Sequence, residues 1–155
     1  MVFGMLPGVY NVINRNLNWE GGVMYGYKRE VFLPYPQAVQ KAREELKKEG
    51  FGVLTEIDVR NTLKKKLEVD FTDYIILGAC NPPFAYKALQ TEKDVGLMMP
   101  CNVIIYVDRG KTYVSAALPT ALMSLIPNDK LKATAEQIEE KLKKVVDCIT
   151  QTAMV

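Results

Sequence analysis

Apolar positions along this chain recur with two different periods, and the switches between them mark its elements. Tyr25, Tyr27, Arg29 and Val31 alternate against Gly26, Lys28 and Glu30, the period-two pattern of a short strand that ends by Pro34. Pro36 then stands where a first helical turn accepts proline. Val39, Ala42 and Leu46 recur at three and four residues until Gly50 stops an amphipathic helix. Phe51 to Asp58 returns to alternation, with Val53, Thr55 and Ile57 set against Leu54, Glu56 and Asp58. Val59 to Leu67 follows as a short basic helix whose Arg60 and Lys64 to Lys66 form a solvated side.

Tyr74 to Cys80 is almost continuously apolar, which predicts a central strand covered on both faces. Asn81 is a good helix N-cap and Pro82 suits the first helical position, so this strand runs directly into a helix carrying Phe84, Ala85, Ala88 and Leu89 on one face. Asn102 to Val107 and Lys111 to Ala117 read as a hairpin turned by Asp108, Arg109 and Gly110. Thr134 with Gln137 has the pattern of a capping box ahead of a last helix marked by Ile138, Leu142, Val145 and Ile149. Glu139 with Lys143 and Glu140 with Lys144 lie on its outer side. The order of elements predicts an α+β domain, a mainly antiparallel sheet with helices packed on one face.

Residues 1 to 22 carry no such period. Glycine, proline and asparagine punctuate them, yet Phe3, Leu6, Val9, Ile13, Leu17 and Trp19 make them too apolar for a solvated tail. They are expected to form an extension packed on the domain, residues 23 to 155, or on a partner subunit.

Composition narrows the chemistry. Twenty basic against eighteen acidic residues leave a net charge of +2, which argues against a nucleic-acid partner. The chain has no histidine, so the Ser-His-Asp triad and histidine-containing zinc cages are excluded. Three cysteines are an odd number in a chain large enough to bury its own core, which fits reduced thiols in a cytoplasm. No signal peptide is legible. The longest uncharged stretch, Thr112 to Asn128, is broken by Pro119 and Pro127 and reads as core or interface, not a membrane anchor. That stretch and the apolar extension together predict a homodimer.

The chemically distinctive feature is a pair of Cys-Asn dipeptides at strand ends, Cys80-Asn81-Pro82 and Pro100-Cys101-Asn102. Antiparallel pairing of the two strands would bring both thiols to one edge, and a helix start after Cys80 favours a thiolate there. These six residues are the expected ligand-binding set. The main expectation is a small-ligand-binding domain without a cofactor or resident metal. The alternative is a thiol-based redox or sulfur-handling enzyme with Cys80 as thiolate and Cys101 as resolving thiol. Met98 and Met99 nearby would add soft ligands for Cu(I), although no compact Cys-X-X-Cys spacing supports such a site. Read structurally, the same cysteines are small buried hydrophobes and the asparagines satisfy backbone groups. Cys148, on the apolar side of the last helix, is expected to be structural, with no activating charge beside it.

The segments GFGVLTEIDV (Gly50 to Val59), YIILGACNP (Tyr74 to Pro82) and MPCNV (Met99 to Val103) resemble the domain-of-unknown-function 302 family across about residues 24 to 150. The resemblance implies a fold similar to the TATA-binding-protein class, with a curved antiparallel sheet and helices on one side. It also implies a homodimer, as in bacterial relatives, without implying DNA binding. It brings no established reaction. Some relatives accompany sulfur- and redox-related modules, which is analogy in favour of thiol chemistry. The apolar extension, and Met98 with Met99 where aliphatic residues are usual, depart from the family pattern.

Overall fold

In the computed structural model, which describes residues 24–152, five strands and five helices follow in the order β1 (Gly26–Val31), α1 (Tyr35–Lys48), β2 (Gly52–Asp58), α2 (Val59–Leu67), β3 (Tyr74–Cys80), α3 (Pro82–Thr91), a 3-10 turn (Lys93–Met98), β4 (Cys101–Asp108), β5 (Lys111–Ala117), α4 (Pro119–Met123) and α5 (Lys130–Thr152). The expected extension, residues 1 to 22, lies outside the described residues.

The strands form one antiparallel sheet in the order β1-β5-β4-β3-β2. Chain neighbours β4 and β5 pair through a two-residue turn. Arg109 (φ 49°) and Gly110 (φ 76°) both have positive φ, which matches the right-handed twist of the flanking strands. β1 adds to β5, and β2 adds to β3 as the other edge. The fold class is therefore α+β, as its pattern of elements predicts.

Pleating sorts each strand into two faces. Ile75, Leu77 and Ala79 of β3, Val103 and Ile105 of β4, Val114 and Ala116 of β5 and Val31 of β1 are buried on one face. Against them pack Ala38, Val39, Ala42 and Leu46 of α1 with Ile138, Leu142, Val145, Val146 and Ile149 of α5. A smaller cluster of Ala88, Val95, Met123, Leu131 and Ala135 closes the end of the domain beside it. Ion pairs knit the two long helices: Glu49 of the α1 C-cap meets Lys144 at 2.6 Å and Lys141 at 3.7 Å on α5.

Three expectations are corrected, and a fourth is made specific. Among the described residues β3 is not covered on both faces, because both core helices lie on the same side and leave Tyr74 and Ile76 half-buried on the other. Its apolar run reflects an interior position in the sheet. The last helix starts at Lys130, four residues before Thr134. Asn128 Oδ1 accepts from the Lys130 backbone N–H, and Thr134 is buried inside the helix, so Thr134 and Gln137 are not a capping box. Asn81 occupies the N-cap position of α3, yet its side chain makes no capping hydrogen bond. The uncharged stretch from Thr112 to Asn128 is spent mostly on β5 and α4, with Val114, Ala116, Leu118, Pro119 and Met123 buried within the protomer. That is the core side of the core-or-interface expectation, and the stretch leaves Leu125 exposed.

Candidate functional site

Among the described residues, the face of the sheet turned away from α1 and α5 carries no core helix, and its cross-strand rows follow from the register. One row is Glu30, Tyr113, Tyr106 and Tyr74; the next is Lys28, Ser115, Ile104, Ile76 and Ile57. Beyond them Gly26 pairs with Ala117, and Asn102 pairs with Gly78, itself opposite Thr55. Large side chains thus stand along one row and small ones along the last. The difference in height hollows the face into a cavity of about 490 Å³, lined by Tyr25, Lys28, Tyr74, Asn102, Ile104, Tyr106, Ser115 and Leu122 among others.

The tyrosine row is a continuous stack. Ring centroids of Tyr74 and Tyr106 are 5.3 Å apart and those of Tyr106 and Tyr113 are 5.5 Å apart, with Phe71 extending the row beside Tyr74 at 6.2 Å. Lys28 Nζ lies 4.3 Å from the Tyr113 centroid and 5.2 Å from that of Tyr106, a cation over two aromatic faces. Burial, then the neighbouring Tyr106 and Tyr25, holds the Tyr74 phenol above its ordinary value, so it remains a neutral donor at physiological pH. Among the described residues no carboxylate lines the cavity. Among the described residues the Lys28 ammonium makes no ion pair, and the side chains of Asn102 and Ser115 make no hydrogen bond.

The two Cys-Asn dipeptides lie at the end of β3 and the start of β4. Ala79 stands opposite Cys101 and Gly78 opposite Asn102, so Cys80 and Cys101 are offset by one residue on neighbouring strands. The expected adjacency is present. Cys101 shares the face of Ala79 and packs against the helix-side core. Burial, and secondarily Cys80, pushes its thiol up to about 11. Cys80, Asn81, Pro100, Cys101 and Met99 line a cavity of about 20 Å³, room for one water molecule. Cys80 and Cys101 form no disulfide. Met98 is not among the lining residues, and Pro82 is exposed at the start of α3.

Asn81 has a visible structural task. Buried, it donates from Nδ2 to the Glu49 carbonyl at 3.1 Å, which ties the start of α3 to the turn between α1 and β2. Gly78 has another. A Cβ there would come within 2.0 Å of Thr55 Oγ1 and 2.8 Å of the Pro100 ring, so only glycine lets β2 and the Pro100 ring close on β3. Asn102 alone of the six expected residues lines the large cavity, on the opposite face from Cys101. Cys148, expected to lack a nearby charge, lies within electrostatic reach of Lys48 and Lys144. Those ammonium groups are bonded to Glu45 and Glu49.

The profile of the family described as domain of unknown function DUF302 matches residues 27–149, four-fifths of the chain and all five strands but the first residue of β1. This chain belongs to the DUF302 family. Among solved structures, it is similar to an uncharacterized conserved DUF302 protein from Bacillus stearothermophilus, whose crystal structure superposes with a TM-score of 0.76 at 33% identity. That match covers 81% of this chain and 98% of the other. A search of curated proteins found no match. DUF302 membership agrees with the resemblance carried by the GFGVLTEIDV, YIILGACNP and MPCNV segments.

Within this DUF302 domain, the site residues that sequence reasoning missed are Lys28, Tyr74, Tyr106 and Tyr113. A signal was present. Each tyrosine sits at the strand parity opposite to the buried aliphatic residues: Tyr74 against Ile75 and Leu77, Tyr106 against Val103 and Ile105, and Tyr113 against Val114 and Ala116.

Proposed function

We propose that this DUF302 chain is a small-molecule-binding domain whose ligand occupies the open face of the sheet. The observation that carries the reading is the size of the two candidate spaces. Ligand pockets run from roughly 300 to 1,000 Å³, a range that includes the cavity of about 490 Å³ under Tyr74 and Tyr106. The space between Cys80 and Cys101, at about 20 Å³, excludes anything larger than water unless the strand ends part. Of the expected ligand-binding residues, Asn102 then contacts the ligand, while Asn81, Pro100 and Cys101 support the strand ends that hold Asn102 in place.

The test uses N-phenyl-1-naphthylamine, an uncharged dye that fluoresces on entering apolar sites. The reading expects saturable binding that Ala117→Trp, which fills the floor of the cavity, abolishes and that Cys101→Ser leaves unchanged. Circular dichroism checks that both variants fold, and Asn102→Trp serves as a second obstruction. Binding that survives both tryptophans, or that disappears with Cys101→Ser, overturns the reading.

A homodimer and a reducing compartment such as the cytoplasm complete the proposal. Support for the dimer comes from edge strand β2, where Leu54 is 68% and Ile57 46% exposed, and from Phe71 nearby on the open face. The two cysteines at the strand ends, unjoined and beside each other, fit a reducing environment. Among the described residues no helix is long and apolar enough to cross a membrane. Light scattering should give twice the protomer mass, falling to one protomer in Leu54→Lys with Ile57→Lys. A monomeric parent chain overturns the dimer.

Adjacency of Cys80 and Cys101 supports a second reading, a dithiol that cycles with a disulfide. The two thiols would lose two protons and two electrons, for instance to hydrogen peroxide, which leaves as two waters. The raised Cys101 thiol counts against it, because a resolving thiol must ionise to attack. A rapid, reversible loss of both thiols with peroxide, without dimer cross-linking, would favour this reading over the first.

A further inference from the structure

The open-face cavity combines three features that together specify a ligand class. Its side is a stack of tyrosine rings, its floor is apolar around Ile104 and Ala117, and among the described residues its single lining charge is the Lys28 ammonium. A lysine that merely covers apolar surface usually reaches solvent or a carboxylate with its head. Here Glu30, the acidic residue nearest along β1 on the same face, is engaged with Lys111 at 3.2 Å, and the Lys28 head lies instead over Tyr113 and Tyr106. The rings hold the ammonium at the cavity wall without neutralising it. Asn102 and Ser115 add donors whose side chains are not committed to any other described residue.

Resting on the reading of this face as a small-molecule site, we infer that its ligand is a small organic anion with a planar ring: a carboxylate or similar group pairs with Lys28 while the ring lies on the apolar floor beside Tyr106. The cavity is large enough for a two-ring system. A fixed cation beside low-dielectric walls attracts an anion more strongly than a solvated surface lysine does. An uncharged ligand of the same shape would forgo that attraction and leave the ammonium partly desolvated. A cationic ligand would meet Lys28 directly.

Naphthalene-2-carboxylate and naphthalene-2-carboxamide have nearly the same shape and differ in charge. Each is titrated as a competitor of N-phenyl-1-naphthylamine on the full chain. The inference expects the carboxylate to displace the dye at about tenfold lower concentration than the carboxamide, a ratio that falls toward one in Lys28→Met and in Lys28→Gln. Lys28→Arg should preserve it, and added salt should weaken the carboxylate alone. Equal displacement by the two compounds overturns the anion while leaving a small-molecule site standing. A carboxylate preference that persists in both neutral Lys28 variants also overturns it. If the dye itself does not bind, the open-face reading fails and the inference fails with it.

Discussion

Gly78 lies under Thr55, its cross-strand partner on the edge strand, so closely that a methyl group on Gly78 would sit 2.0 Å from Thr55 Oγ1. On its other side the Pro100 ring would be 2.8 Å away. The absent side chain thus lets the edge strand and the residue before β4 converge, and it keeps the floor of the open face low next to Asn102.

Gly78→Ala should therefore destabilise the domain by about 1–3 kcal/mol, the range for inserting a methyl group into a packed position. Thr55 is exposed and can turn aside, whereas Pro100 is a ring held in the chain. Urea unfolding should accordingly show only partial recovery in Gly78→Ala with Thr55→Ala. Full recovery in that double variant would mean that Pro100 imposes no constraint.

Acid should weaken the fold through its helix-side carboxylates. Burial alone would raise the Glu45 carboxyl, but hydrogen bonds from Lys48 and Lys41 outweigh it and hold the group below its ordinary value. Glu139 behaves alike: Lys143 and the hydroxyl and backbone N–H of Thr120 overcome its burial. At Glu56 the hydrogen-bonded Arg43 guanidinium is the largest influence and lowers the carboxyl in the same direction. A carboxyl whose folded value is depressed binds its proton more readily in the unfolded chain, so its contribution is present above the unfolded value of about 4.3 and is lost as pH falls through the folded value. Urea midpoints should stay level from neutrality to about pH 5 and drop below about pH 4. Glu139→Gln should lower the neutral plateau and make the acid limb shallower; an unchanged acid limb would show that Glu139 does not take part in it.

Thiol reactivity follows from burial at the strand ends. With its thiol pushed up to about 11, Cys101 should be alkylated by iodoacetamide at neutral pH on the order of a hundredfold more slowly than a model thiol with a value of about 8.5. Urea should bring it to the model rate. Peptide mass spectrometry after timed quenching resolves the three cysteines separately. Fast labelling of Cys101 in the folded chain would show that the strand end opens readily, and would revive the space beside Cys80 as a binding site.

Loss of the Asn81 side chain should be felt at a distance along the chain. Asn81→Ala removes the donor to the Glu49 carbonyl and should cost about 1–2 kcal/mol, the range for breaking a buried hydrogen bond. Hydrogen exchange should then speed up at Gly50 to Gly52, thirty residues away in sequence, as well as at the start of α3. Exchange confined to α3 would mean that Asn81 serves only its own helix.

Much of the fold was legible because it is written locally. The alternation in Phe51 to Asp58, the three-and-four spacing before Gly50, the breaks at Asn81 and Pro82 and the Arg109-Gly110 turn each act within a few residues, and the elements they predict are present with nearly the predicted limits. The start of the last helix is not legible in this way, because Thr134 and Gln137 have capping chemistry without capping it. Asn128, earlier in the chain, satisfies the helix end instead, and the core takes up Thr134.

The sequence by itself determined the class of fold, the family, and the adjacency of the Cys80 and Cys101 strand ends once β3 and β4 were paired. It also determined what the chain cannot use, since a protein without histidine has neither the Ser-His-Asp triad nor a histidine metal cage. Only the tertiary structure decided which face of the sheet the helices leave open and how much space each candidate site holds. Alternation along a strand assigns residues to two faces without saying which one is covered, and that depends on where α1 and α5 pack. Lys28, Ser115 and Ile104 come from three strands and meet in one row only through a register set by pairings far apart in sequence, so no local pattern announces the cavity that they help to form.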